Sequence, residues 1–167
     1  MRTVCSIFLA STLIFLGSCN NPGEPVQNSV NQFESTEIVY DSITAAKYGA
    51  DDYGMRKYVM AFLKRGPNRE LDSLKAANLQ TAHLKNITRM AEEGKLVLAG
   101  PFFGNGDIRG IYIFNVQSIT EAEELTNSDP AIKAGSLEME LIEWYGSAAL
   151  MAVNDLSKRL AKKGITE

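Results

Sequence analysis

One imidazole and one carboxylate carry the chemistry this chain can be read to perform. His83 is the only histidine in the 167 residues. It lies in "AANLQTAHLKNITRM" (76–90), where Ala76, Leu79, His83, Ile87 and Met90 recur with helical steps and form the seam of a buried face. A leucine would pack better there. Asp129 stands before Pro130 at the end of a second helical stretch. A carboxylate held against an imidazole fixes its tautomer and makes it a better general base. The plainer alternative stays open at this level: a core histidine satisfied by a backbone carbonyl, beside an aspartate that only makes a turn. A metal centre is not expected, because one histidine without clustered carboxylates leaves too few ligands.

Other residues could complete a site. Phe102 and Phe103 follow a Gly-Pro turn and could wall a pocket for a planar ligand, or simply belong to the core. Arg109 could hold an anionic group, and Lys64 and Arg65 fall near the same rim; all three also suit an ordinary solvated surface.

The elements that must position these groups follow from pattern. "KYVMAFL" (57–63) reads as a buried strand, and a long helix is expected over 70–93, stopped by Gly94. "KLVLAG" (95–100) and "GIYIFNV" (110–116) read as strands, the latter apolar on both faces and hence central. A shorter helix is expected over 118–129, with Thr120 as N-cap, Glu123 closing a capping box and Asp129-Pro130 as its stop. "SLEMELIEWY" (136–145) alternates like an edge strand, and 148–163 reads as an amphipathic helix with Ala149, Val153, Leu156 and Leu160 on one face. The order βαββαβ plus a C-terminal helix predicts an α+β, ferredoxin-like fold: two helices on one face of a four-stranded antiparallel sheet. In that topology helix two ends beside helix one, which brings Asp129 towards His83. The second sheet face is also apolar, so a homodimer with sheets packed face to face is expected.

The N-terminus reads differently. Residues 1–18 have a short positive region (Arg2) and an apolar stretch too short to span a bilayer comfortably. Leu16-Gly17-Ser18-Cys19 resembles the lipobox of bacterial lipoproteins, which implies lipid attachment at Cys19 and a membrane-anchored protein facing the periplasm or exterior, the outer membrane favoured by Asn20. An ordinary cleaved signal is the alternative. Residues 19–36 read as a flexible tether and 37–56 as an arm packed on the body. Cys5 and Cys19 are the only cysteines, so the body must be held by its core without disulfides. Cleavage removes Arg2 from 17 basic residues set against 20 acidic ones, moving the formal charge from −3 to −4. That balance gives no case for nucleic acid as a partner. "KRLAKK" suits a helix C-terminus better than a phosphate.

Residues 57–146 are similar to the YCII-related family. The resemblance rests on "AHLKNITRMAEEGKLVLAGPF" with its Gly-x-Leu-x-x-x-Gly-Pro run, on "RGIYIF", on "SDPAIKAG" and on the closing "EWY". It implies a dimeric α/β-barrel related to ferredoxin-like folds and to muconolactone isomerase. It further implies a His-Asp catalytic dyad at His83 and Asp129; one branch of the family removes chloride from a chlorinated hydroxyquinol. The expected function is therefore cofactor-independent acid-base chemistry, isomerase or lyase in type, on a small aromatic or enolisable compound. The alternative is a non-catalytic lipoprotein that binds a small ligand or serves in assembly. The signal, the arm and the C-terminal helix set this chain apart from small cytoplasmic members.

Overall fold

The computed structural model describes residues 38–166, and all its elements fall in the unit that spans 40–167. The signal, Cys19 and the tether lie outside the described residues. Among the described residues no helix is long and apolar enough to cross a membrane. The elements are α1 (Ser42–Tyr48), β1 (Met55–Arg65), α2 (Ser73–Glu92), β2 (Leu96–Pro101), β3 (Ile108–Phe114), α3 (Ile119–Asn127), α4 (Pro130–Lys133), β4 (Leu137–Ser147), a 3-10 turn (Ala148–Ala152) and α5 (Val153–Leu160).

The sheet is antiparallel, with order β2-β3-β1-β4. The fold is thus the expected βαββαβ arrangement, with β1 and β3 central and β4 on an edge. β1 runs two residues further at each end than its apolar run, because β4 pairs with it from Met55↔Ser147 to Arg65↔Leu137. Backbone pairing, not side-chain hydrophobicity, extends it.

Alternation along the strands sorts two cores. On the helix-covered face Val59, Ala61, Leu63, Tyr112 and Phe114 pack with Met90, Leu96 and Ala122. On the other face Tyr58, Val97 and Ile113 pack with Met60, Leu98, Trp144, Leu150 and Met151.

Caps set the helix limits. α2 starts at Ser73, later than expected, because Asp72 accepts the Lys75 N–H at 2.8 Å. The residues before it are held elsewhere: the Gly66 N–H donates to Ser136 O (3.0 Å) and the Asn68 N–H to Gly135 O (2.9 Å). A Cβ at Gly66 would sit 2.3 Å from Gly135 O, so only glycine fits there. At the other end Gly94 has φ 68°, and the Lys95 N–H donates to Met90 O (2.9 Å), a Schellman ending as expected of a C′ glycine.

Two expectations are corrected. The cap of α3 is Ser118, not Thr120: its side chain accepts the Glu121 N–H, and Glu121 Oε2 accepts the Gln117 N–H at 2.9 Å. The same box spacing recurs two residues earlier, and Ser118 has the extended backbone a cap requires. The C-terminal segment is not one continuous helix over 148–163. Its opening 3-10 turn shifts the phase, so Leu150 and Met151 meet the sheet, while Leu156 and Leu160 stand 47% and 82% exposed. Asn154 Nδ2 ties α5 to Leu96 O at 2.8 Å. The second sheet face, expected to be open, is therefore covered over the half nearest the start of β1 by the chain's own C-terminal segment.

Part of the N-terminal arm is ordered structure of its own. Asp41 caps α1, and Arg56 donates to Tyr48 O (2.7 Å) and to Asn115 Oδ1 (2.6 Å), fastening α1 to the sheet.

Candidate active site

His83 occupies the middle of α2 and is 7% exposed, and Asp129 is fully buried. Their positions follow from local structure. Asp129 precedes a proline and so takes an extended backbone (φ −73°, ψ 125°). That geometry ends α3 and lets Pro130 open α4, with Asp129 Oδ1 accepting the Ala131 N–H at 2.8 Å. The stop expected of Asp129-Pro130 is thus also a start, and the cap aims the carboxylate at α2. His83 Nδ1 lies 3.0 Å from Oδ1 and 2.8 Å from Oδ2. An ionised carboxylate only accepts, so Nδ1 carries the proton and the second ring nitrogen is left as the acceptor.

That nitrogen, Nε2, faces Tyr112 Oη at 3.3 Å, whose O–H donates to it. Burial, and secondarily the negative charge of Asp129, hold the Tyr112 hydroxyl well above the usual tyrosine range. Tyr112 is therefore a protonated donor throughout the physiological range.

Behind Asp129 lies a second layer. Asn86 Nδ2 approaches Asp129 Oδ2 at 3.5 Å; Arg89 donates to Asn86 Oδ1 (2.8 Å) and to Ser128 Oγ (3.0 Å), and pairs with Glu93 at 2.8 Å. This chain of donors fixes the Asn86 amide with its NH₂ towards the carboxylate.

His83 and Tyr112 open onto a cavity of about 450 Å³ at the end of the sheet where β1 finishes. Leu63, Leu84, Ile87 and Pro101 give it an apolar wall, and Gln80 and Arg109 stand at its polar side. Arg109 lines this cavity and is anchored to Gly104 O (3.1 Å) and Gly106 O (3.4 Å). Phe102 and Phe103 are not in the wall: they are 48% and 104% exposed and line none of the described cavities. β2 ends at Pro101, so both side chains run out into the following loop. Lys64 pairs with Glu140 on the opposite sheet face, and neither it nor Arg65 lines this cavity; Arg65 lines the neighbouring one.

Tyr112 and Asn86 went unnoticed in the sequence, yet signals for both exist. Tyr112 shares the inward face of β3 with Phe114, and a buried phenol needs a partner for its hydroxyl. Asn86 lies three residues beyond His83, on the same side of the helix. Among the described residues no three His, Cys, Asp or Glu side chains are grouped to hold a metal ion.

The profile of the YCII-related domain matches residues 58–145. The uncharacterized protein YjpA of Bacillus subtilis (strain 168) is 32% identical over 62 residues, covering 37% of this chain and 71% of that protein. Among solved structures, the chain is similar to the 5-chloro-2-hydroxyhydroquinone dehydrochlorinase (TftG) from Burkholderia phenoliruptrix AC1100, in complex with 2,5-dihydroxybenzoquinone. That match has a TM-score of 0.40 and 23% identity over 53% of this chain and 93% of the other.

Proposed function

The chain belongs to the YCII-related domain family, and from that premise we propose that it is an acid-base enzyme, isomerase or lyase in type, acting on a small organic compound. The observation that carries the proposal is the buried Asp129–His83–Tyr112 line ending in a cavity. A substrate entering beside Leu84 and Ile87 meets Nε2. The imidazole takes a proton from an acidified C–H or an O–H. The imidazolium that forms is balanced by Asp129, which already holds Nδ1–H. Tyr112, displaced from Nε2, is left with a free O–H to donate to an oxygen that gains charge. Isomerisation and elimination need only such a base and donor.

The test is deuterium wash-in. Incubated in D₂O with enolisable ketones, lactones and phenols, the protein should exchange a substrate proton. His83→Gln should slow that exchange by roughly 10²–10⁴-fold, the usual contribution of a general base. Compounds that bind without exchange would instead make it a non-catalytic binding protein.

The same proposal includes lipid attachment at Cys19, external localisation and a homodimer. Half-buried Met60 and Phe62 with exposed Ile142 support a second copy packing on the uncovered part of the sheet. Fatty-acid labelling lost in Cys19→Ser, and a dimer mass by light scattering lost in Ile142→Glu, are the expected results.

A further inference from the structure

Beside the His83 cavity lies another, of about 420 Å³, with Gln80, Arg109 and Leu137 lining both. Three guanidinium groups line it, from Arg65, Arg69 and Arg109, and no aspartate or glutamate does. In a chain of net charge −3 this is an unusual local excess of positive charge. Among the described residues none of the three forms an ion pair with a carboxylate.

All three are nonetheless held in place, by backbone carbonyls. Arg65 donates to Asn105 O (3.3 Å), Arg69 to Ser136 O (3.1 Å), and Arg109 to the two glycine carbonyls of its loop. The strand ends and the loop that carry them are stapled to their neighbours. Asn68 Nδ2 donates to Ala134 O (2.9 Å), the Gly66 turn fits only without a side chain, and the Arg65 N–H donates to Asp107 O (2.9 Å). A carbonyl restrains a guanidinium without neutralising it. Each group has five N–H donors and uses only one or two of them here. Such groups are preorganised for an oxyanion, whose oxygens accept forked pairs of N–H bonds.

We infer that this arginine-lined cavity is the anchoring subsite for a carboxylate or phosphate group on the compound whose apolar part enters the His83 cavity. The inference rests on the acid-base reading for the second half of that statement, and it assigns the substrate class as an organic anion. Arg109, on the common wall, is the guanidinium nearest in arrangement to both halves of the ligand. Arg65 and Arg69 set the selectivity for charge.

Binding measurements on the full chain test it with 4-hydroxybenzoate, phenyl phosphate and the uncharged 4-hydroxybenzamide. One of the two anions should bind about tenfold or more tighter than the amide, as expected for hydrogen bonds to a charged group. Whichever anion is preferred decides between carboxylate and phosphate ester. Arg69→Gln, an exposed position that leaves the fold intact, should remove most of this preference, and Arg65→Gln should do so independently. Amide binding should stay unchanged in both. His83→Gln should abolish proton exchange but keep the anion preference, so failure of the base and failure of the anchor are read separately. Equal binding of all three probes, no binding of either anion at millimolar concentration, or a preference that survives both arginine substitutions would overturn the inference.

Discussion

Two tyrosines sit on neighbouring strands with their rings buried on opposite faces of the sheet. Tyr112 on β3 is 2% exposed and Tyr58 on β1 is 0% exposed. The Tyr58 hydroxyl donates to Ser147 O at 3.0 Å, and the Tyr58 ring centre lies 5.8 Å from that of Trp144 and 5.3 Å from the Arg56 guanidinium carbon. Burial pushes its pKa up while Arg56 pulls it down. It closes the seam where β4 gives way to the C-terminal turn, and nothing more. The Tyr112 hydroxyl meets an imidazole nitrogen that opens on a cavity, and Asp129 adds to burial in pushing it up. Burial and residue type are the same in the two cases. What separates a structural phenol from a candidate catalytic one is the group that receives its proton, and whether a ligand can displace it.

The harshest way to break the contrast is on the charged side. Asp129→Ala leaves the Nδ1–H and the Ala131 N–H without their buried acceptor. A loss of about 2–4 kcal/mol in urea unfolding is expected, because each buried donor left unsatisfied costs about 1–3 kcal/mol. A loss under about 1 kcal/mol would mean that water or the backbone replaces the carboxylate easily.

The two tyrosines can then be compared directly. Tyr58→Phe and Tyr112→Phe should each cost about 1 kcal/mol, the net value of one hydrogen bond. Only Tyr58→Phe should speed amide exchange over 147–152, and only Tyr112→Phe should move the His83 ring signals. Identical responses would erase the distinction.

The mildest effect is in pH. Tyr112 has its folded pKa raised above the ordinary 10, so the folded state keeps a proton that the unfolded chain loses above about pH 10. Its contribution is fully present below that pH and fades as pH rises towards the folded value. Thermal stability above pH 10 should therefore fall more steeply in wild type than in Tyr112→Phe, with no difference in pH slope between them near neutrality.

The sheet order and both central strands were legible in the sequence, because they rest on periodic patterns, whereas the approach of Asp129 to His83 was legible only through the topology and the family resemblance, since spacing alone suits a core histidine and a turn aspartate equally. The ending of α2 was legible for the same kind of reason, since Gly94 needs its positive φ. What escaped was set by tertiary pairing. The ends of β1 have no apolar signal and are held by β4. The phase of the C-terminal segment is fixed by a 3-10 turn that a 3.6-residue period cannot show. Phe102 and Phe103 are placed by where β2 stops, and Tyr112 passed for one more aromatic in an apolar strand. The arginine cavity takes Arg65 from the end of β1, Arg69 from the loop after it and Arg109 from the start of β3, and no local window contains all three.

The proposed chemistry depends on the tautomer of His83, and the chain has no second histidine to confuse its signals. Imidazole ¹⁵N correlation spectra at neutral pH should show Nδ1 protonated and Nε2 as the unprotonated, pyridine-like nitrogen, with the Nε2 shift altered in Tyr112→Phe and the Nδ1 shift altered in Asp129→Asn. A ring protonated at Nε2 with a bare Nδ1, indifferent to both substitutions, would contradict it.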